Sequence, residues 1–165
     1  MAAGPGKLHP HTGVRIHCPV TPGMNVLHGK FDGTNLEYND EQMNMIRDDD
    51  IMLYYEGARM TLETVIPCRD YVLVRNEASS LKTDSGIVVA SSVTKDLEPC
   101  EGFVVKVGEG RLCSTGEFSP SPVSVGDRVK FRDYAGNDVR IDGTDYSLVR
   151  MVDILCAIDM SDSSE

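Results

Sequence analysis

Short apolar segments separated by glycine and aspartate run through most of the chain. The clearest lie at residues 51–55, 70–75, 102–107, 128–131, 139–141, 146–150 and 153–158, with weaker ones at 26–27 and 35–38. Short apolar runs at regular spacing, bounded by turn residues, are typical of all-β sandwiches and barrels. Convincing helical periodicity is scarce. The pattern therefore predicts an all-β fold.

The same pattern occurs twice. A shift of 122 − 19 = 103 positions places residues 19–55 on residues 122–158 without a gap. The identical pairs are Pro19/Pro122, Val20/Val123, Gly23/Gly126, Val26/Val129, Gly33/Gly136, Arg47/Arg150, Asp50/Asp153 and Ile51/Ile154. A match with glycines and apolar positions in phase indicates one strand–turn–strand unit built twice. We predict a partial unit over residues 14–60 and a complete unit over residues 65–158, flanked by a disordered lead-in (1–13) and a frayed acidic tail (159–165).

One apolar run does not fit its surroundings. Ile87, Val88 and Val89 follow Gly86 within a long stretch of small and polar residues. An Ile-Val-Val run is more typical of a buried strand, whereas its neighbours favour a flexible loop. On composition alone the buried strand is the better interpretation. The alternative is an apolar peptide that a loop presents to a partner's groove.

The net charge and the cysteines exclude several classes of partner and compartment. Lys and Arg total 16 and Asp and Glu total 26, which gives a net charge of −10. Such a charge disfavours nucleic acid and anionic membrane surfaces as partners, and no apolar run approaches the length of a membrane span. The first residues resemble neither a signal peptide nor a transit segment. Five widely spaced cysteines without a C-x-x-C motif favour reduced thiols in an intracellular compartment.

Motifs for chemistry are weak throughout. Residues 108–110 form only a G-x-G, better interpreted as a strand-end turn than as a dinucleotide fingerprint. The acidic run at 48–50 is more typical of a solvated turn than of a cation site. The spacing of the histidines and of Cys18 matches no standard metal-ligand pattern; these residues are His9, His11, His17, Cys18 and His28. We expect no catalytic residues, no bound metal and no cofactor.

The second unit resembles the GroES/chaperonin-10 co-chaperonin family. The resemblance rests on motifs in family order: Pro67-Cys68-Arg69-Asp70 with the apolar run after it, the loop ending in Gly86-Ile87-Val88-Val89, residues 102–111, residues 123–129, Ala135-Gly136 and residues 153–158. With its partial first unit, the chain is most similar to the plastid tandem co-chaperonins, which fuse two such domains. Two features depart from the family pattern: the first unit lacks its opening strand and loop, and Ser85-Gly86 stands where two glycines are usual.

The resemblance implies a fold, partners and site residues. The fold would be a GroES-like, partly open β-barrel with a mobile loop and a roof hairpin. The loop residues Gly86, Ile87, Val88 and Val89 would dock on a chaperonin of the 60 kDa class, and Arg111, Leu112, Gly116 and Glu117 would form the roof hairpin. Strands 71–75 and 154–158 would pair between subunits of a homo- or hetero-oligomeric ring; the interface residues are Tyr71, Val72, Leu73, Val74, Ile154, Leu155, Ala157 and Ile158.

The resemblance also implies a function and a compartment. A ring of such subunits would cap an ATP-driven chaperonin, with unfolded protein bound in the closed chamber and ATP bound by the chaperonin. The plastid stroma is favoured, with the mitochondrial matrix or the cytosol as alternatives. A different function stays open, in which the protein is a structural or scaffold subunit of another assembly without chaperonin activity.

Overall fold

The computed structural model describes residues 2–76, 100–133 and 135–158. Strands make up nearly all of its regular structure, and a single turn of 3-10 helix lies at Met151–Asp153. The strands are β1 (Lys7–Leu8), β2 (Arg15–Ile16), β3 (Asn25–His28), β4 (Thr34–Tyr38), β5 (Glu41–Met45), β6 (Ile51–Tyr55), β7 (Ile66–Pro67), β8 (Tyr71–Asn76), β9 (Glu101–Val107), β10 (Arg111–Leu112), β11 (Phe118–Ser119), β12 (Arg128–Phe131), β13 (Asn137–Ile141), β14 (Thr144–Arg150) and β15 (Ile154–Ile158). The predicted all-β fold class is confirmed. In the described part of the chain, no helix is long and apolar enough to cross a membrane.

The largest sheet belongs to the C-terminal part of the chain, which we call unit 2 (residues 65–158). Six antiparallel strands follow one another in the order β13-β14-β8-β9-β12-β15. Their side chains fill two core clusters, one around Leu73 and Leu148 and one around Val129 and Phe131. Burial of such aliphatic side chains is the main stabilising contribution to a sheet of this kind. The strands β13 and β15 form its two edges.

The N-terminal part of the chain, which we call unit 1 (residues 2–60), holds smaller sheets. The strands β3 and β6 pair with each other, β6 also pairs with β7 of unit 2, and β4 pairs with β5. Under the 103-residue shift, the bounds of β3, β4 and β6 coincide with those of β12, β13 and β15. The structure therefore carries the sequence repeat at the level of individual strands.

Unit 1 begins earlier than the sequence predicted. The expectation of a disordered lead-in over residues 1–13 is wrong for β1, which pairs with β2 in an antiparallel hairpin. That hairpin has the geometry of β10–β11 in unit 2: Gly6 and Gly110 both have positive φ (93° and 121°), and a Cβ on either would collide with a carbonyl oxygen of the opposing strand. Only glycine fits such a position without strain.

The strand β5 was also absent from the sequence prediction. Its sequence, Glu-Gln-Met-Asn-Met, contains no β-branched or aromatic residue, so local propensity gives no strand signal. The turn before it explains why the strand forms. Asn39 and Asp40 both have positive φ, 53° and 60°, as a tight hairpin between β4 and β5 requires.

Candidate functional site

The predicted docking residues Gly86, Ile87, Val88 and Val89 lie outside the described residues. The structure does describe the two strand ends from which their segment starts and to which it returns. Asn76 at the end of β8 pairs with Gly102 at the start of β9. Residues 77–99 therefore leave and re-enter the same end of the unit 2 sheet, on two neighbouring antiparallel strands.

Charged pairs and a glycine hold this end of the sheet together. Glu101 forms ion pairs with Arg128 at 3.4 Å and with Lys130 at 3.5 Å, both on the neighbouring strand β12. A Cβ at Gly102 would collide with the Arg75 carbonyl oxygen on β8. The strands β8 and β9 thus approach each other closely where the segment is anchored.

The segment predicted as the roof hairpin is a two-stranded antiparallel hairpin of β10 and β11. Arg111 pairs with Ser119 and Leu112 with Phe118. At its tip, the Gly116 amide donates to the Cys113 carbonyl at 3.0 Å, and the Cys113 amide donates to the Glu117 carbonyl at 2.8 Å. Arg111 and Glu117 are exposed. A hairpin is therefore present at these residues, and its role as the roof of a dome stays a prediction.

The corresponding hairpin of unit 1 lies against this one. A Cβ at Gly116 would lie 3.0 Å from Thr12 Oγ1 and 3.8 Å from His9 Cγ. His9 is 6% exposed, and its Nδ1 lies 3.1 Å from Thr12 Oγ1. The unit 1 hairpin was absent from the sequence prediction, although Gly4-Pro-Gly-Lys-Leu8 resembles Gly108-Glu-Gly-Arg-Leu112 and was the available signal.

An ion cluster and a strand pair join the two units. The guanidinium of Arg69 lies 2.7 Å from Asp48 Oδ2, 3.6 Å from Asp49 Oδ1 and 5.7 Å from the ring centroid of Phe118. Lys7 also pairs with Asp49. Beside the cluster, β6 of unit 1 pairs with β7, which immediately precedes the unit 2 sheet. We call this contact between the units the internal joint.

The predicted interface strand at 71–75 requires a correction. Its strand, β8, lies between β14 and β9, so both of its main-chain edges are already paired. Val72, Leu73 and Val74 are 0% exposed. The structure therefore gives Tyr71, Val72, Leu73 and Val74 to the interior of the sheet, and the strand that pairs across a unit boundary is β7, a few residues earlier.

The other predicted interface strand lies at an edge. One side of β15 pairs with β12, and its other side has no partner strand in the described part of the chain. Leu155 is 58% exposed, whereas Met52, its equivalent in β6, is 6% exposed within the internal joint. The strand β15 thus exposes to solvent the face that β6 buries. The predicted interface residues on it are Ile154, Leu155, Ala157 and Ile158.

Ionisable groups near the internal joint have shifted pKa values. Burial raises the pKa of the Cys68 thiol to about 12, helped by the negative charge of Glu109. Burial also raises the pKa of Tyr54 on β6. Desolvation lowers the pKa of Lys106, whose Nζ donates to the carbonyls of Glu63 at 3.0 Å and Val65 at 2.7 Å. A thiol with a raised pKa is a poor nucleophile and a poor metal ligand. Among the described residues, no group of three or more His, Cys, Asp or Glu side chains is placed to hold a metal ion.

Comparisons with known proteins agree with this geometry. Residues 64–158 match the family described as "Chaperonin 10 Kd subunit". The 20 kDa chloroplastic chaperonin of Arabidopsis thaliana is 31% identical over 145 residues, which cover 87% of this chain and 56% of that protein. The corresponding values for the 20 kDa chloroplastic chaperonin of Spinacia oleracea are 31%, 87% and 55%. The co-chaperonin GroES of Bacillus licheniformis is 42% identical over 92 residues, which cover 56% of this chain and 96% of that protein.

The region that matches the family, residues 64–158, coincides with unit 2. This chain spans about half the length of the 20 kDa chaperonins that it matches, while GroES aligns over nearly its whole length.

Proposed function

This chain belongs to the chaperonin 10 Kd subunit family, and on that premise we propose that it acts as a co-chaperonin. Assembled into a ring, it would cap a chaperonin of the 60 kDa class and help substrate proteins to fold in the closed chamber. In this proposal the chaperonin binds and hydrolyses ATP, and this chain needs neither a cofactor nor a metal ion. The observation that carries the proposal is the complete six-stranded sheet of unit 2 with residues 77–99 anchored at one end.

The contact with the chaperonin is proposed for Ile87, Val88 and Val89, with Gly86 as the hinge. An apolar tripeptide supplies buried area in a partner's groove, and its polar neighbours remain compatible with solvent. Several such tripeptides on one ring would act together, so each single contact need not be strong. Weak individual contacts suit a cap that must be released in every cycle.

Ring assembly is proposed to use the free edge of β15. In the internal joint, the equivalent strand β6 accepts β7 as a main-chain partner. An exposed strand edge is a ready template for pairing with another chain. We propose that β15 accepts a strand from the neighbouring subunit in the same way. Because two of the similar proteins are named chloroplastic, we propose the plastid, and within it the stroma, as the compartment.

Capture of this chain by a 60 kDa chaperonin in the presence of nucleotide tests the proposal. Val88→Asp should reduce capture at least tenfold, because a charge replaces the centre of the apolar tripeptide. Val125→Asp is the control, since Val125 is an exposed valine of unit 2 (62% exposed) that is not part of residues 77–99. Both variants should retain the circular dichroism spectrum and melting temperature of the parent. Unchanged capture of Val88→Asp would contradict the proposal.

A further inference from the structure

The hairpin of unit 1 (β1–β2) and the roof hairpin (β10–β11) meet at their tips, and His9 is buried where they touch. A Cβ at Gly116 would lie 3.8 Å from His9 Cγ and 3.5 Å from Val14 Cβ. The main chain of the roof hairpin thus lies against the imidazole of His9, which is 6% exposed. We call this arrangement of His9, Thr12, Val14 and Gly116 the tip contact.

Hydrogen bonds within the unit 1 hairpin fix the protonation state of His9. The main-chain amide of Thr12 donates to His9 Nδ1 at 3.3 Å, and the Thr12 hydroxyl oxygen lies 3.1 Å from the same nitrogen. The Val14 amide donates to that hydroxyl oxygen at 3.4 Å. Because a main-chain amide can only donate, Nδ1 accepts and carries no proton in this arrangement. The tip contact therefore holds the neutral imidazole, with its proton on Nε2.

A proton on Nδ1 would remove the acceptor that the Thr12 amide uses. The Thr12 hydroxyl can turn to accept from the new N–H, but the amide would then face a second donor at 3.3 Å. The imidazolium would also be enclosed between the hairpins, where burial of a charge without a counter-charge is unfavourable. The closed tip contact thus binds fewer protons than an open one, so a fall in pH favours the open one.

Among the described residues, no carboxylate bonds to the His9 ring. On the same hairpin, the His11 ring faces it at 5.8 Å between centroids and would repel an imidazolium when both are protonated. Two cations of that hairpin have partners elsewhere, since Lys7 pairs with Asp49 and Arg15 donates to the Gly6 carbonyl. The titratable or charged side chains of the roof hairpin are those of Arg111, Cys113 and Glu117. The carboxylate nearest in sequence to Gly116, that of Glu117, is exposed, so solvent and salt screen its charge.

We propose that the tip contact is a pH-sensitive contact between the two units, closed while His9 is neutral and opened when its imidazole takes up a proton. Imidazole is the side chain that ordinarily changes charge between pH 5 and pH 8. The internal joint is held by the Arg69–Asp48 ion pair and by main-chain pairing of β6 with β7, which this proton does not alter. The hairpin tips would therefore part while the two units stay joined. This inference does not depend on the co-chaperonin function.

Nuclear magnetic resonance on the full chain, labelled with ¹⁵N in histidine and ¹³C in the valine methyl groups, tests the proposal. The nitrogen shifts of the His9 ring report its protons, and a nuclear Overhauser effect between Val14 methyl and Gly116 Cα protons reports the closed contact. At pH 8 we expect Nδ1 without a proton and a strong effect. At pH 5.5 we expect a doubly protonated ring and an effect at least threefold weaker. The effect between Val72 and Val149, which pair within the unit 2 sheet, should not change.

Two variants make the test specific. In His9→Asn the side-chain oxygen takes the place of Nδ1 and accepts a hydrogen bond at either pH, so the Val14–Gly116 effect should be equally strong at both. His17→Asn is the control, because His17 is an exposed histidine outside β1 and β2, and it should lose the effect as the parent does.

The parent protein alone can overturn the proposal, even if His9→Asn fails to fold. A proton on His9 Nδ1 at pH 8 would do so, as would a Val14–Gly116 effect that persists at pH 5.5. An equal fall in the Val72–Val149 effect would also overturn it, since the whole sheet would then be unfolding. So would a folded His9→Asn protein that loses the Val14–Gly116 effect as the parent does.

Discussion

Arg69 Nη2 donates to Asp48 Oδ2 at 2.7 Å, and this contact ties unit 2 to unit 1. The two side chains are only 9% and 16% exposed. The Arg69 guanidinium also lies 5.7 Å from the ring centroid of Phe118 on the roof hairpin. One side chain thus links the acidic turn of unit 1, the start of the unit 2 sheet and the hairpin.

Removing the carboxylate should destabilise the internal joint. Asp48→Asn leaves a buried guanidinium without its closest counter-charge, and we expect a loss of about 2–3 kcal/mol in the free energy of unfolding. Urea denaturation followed by circular dichroism measures it. The control is Asp145→Asn, which breaks an exposed ion pair with Arg140 at 3.8 Å and should cost less than about 0.5 kcal/mol. Equal losses in both variants would show that the Arg69 contact contributes no more than a surface pair.

Assembly should depend on the exposed face of β15. Leu155→Asp places a charge on the surface that β6 buries in the internal joint, so we expect it to weaken self-association at least tenfold without unfolding the protomer. Sedimentation velocity over a concentration series measures the effect. Val125→Asp should assemble like the parent, since Val125 lies outside the strands. A Leu155→Asp protein with unchanged sedimentation would argue against β15 as the contact strand.

Stability should fall in alkaline solution because of Cys68. The pKa of its thiol is raised from 9.0 to about 12 in the folded state. Between pH 9 and pH 12 the folded protein therefore keeps the thiol proton, while the unfolded chain loses it. The stabilisation from this thiol is complete below pH 9 and is lost as the pH rises towards 12. Between pH 8 and pH 10 we expect the free energy of unfolding to fall by about 1 kcal/mol.

Two variants separate this effect from the rest of the titration. Cys68→Ala should lower stability at pH 8 but flatten its decline towards pH 10. The part that remains is expected from Tyr54 and Tyr71, whose pKa values burial also raises. Cys156→Ala, at an exposed cysteine, should decline like the parent. An undiminished slope in Cys68→Ala would rule out this thiol as the source.

The end of the sheet that anchors residues 77–99 should tolerate no side chain at position 102. A Cβ in Gly102→Ala would meet the Arg75 carbonyl oxygen, so the strands β8 and β9 must separate there. We expect a loss of at least about 2 kcal/mol and faster hydrogen exchange at Asn76. Gly4→Ala is a matched control because nothing lies within 4 Å of its Cβ position. Equal stability of the two variants would contradict the close approach.

Much of the fold could be predicted from apolar patterning and from the repeat. Residues 51–55 and 128–131 were predicted with the bounds that the structure gives them, because each is a compact apolar or alternating run between turn residues. The strand β5 could not be found from local pattern, since only its pairing with β4 makes it a strand. The hairpin β1–β2 was missed because its strands are two residues long and their apolar content is slight.

The contacts between strands and between the units were harder to predict from the sequence than the fold class. Apolar runs at 71–75 and 154–158 look alike in sequence, yet the first lies in the middle of the sheet and the second at its edge. Strand order depends on contacts between distant residues, and apolar content alone does not reveal it. The pair Arg69–Asp48 was equally hidden, because an arginine and an aspartate 21 residues apart carry no signal until the chain brings them together.

The pairing of β6 with β7 has a consequence for how an assembly of this protein would come apart. The two units at that joint are segments of one polypeptide, so dilution cannot separate them, and their effective concentration is fixed by the short connection at residues 56–65. The contacts that we propose for β15 would join different polypeptides and would weaken as the protein is diluted. A ring of such chains would therefore dissociate only at its β15 contacts, and every fragment released would still contain an intact internal joint.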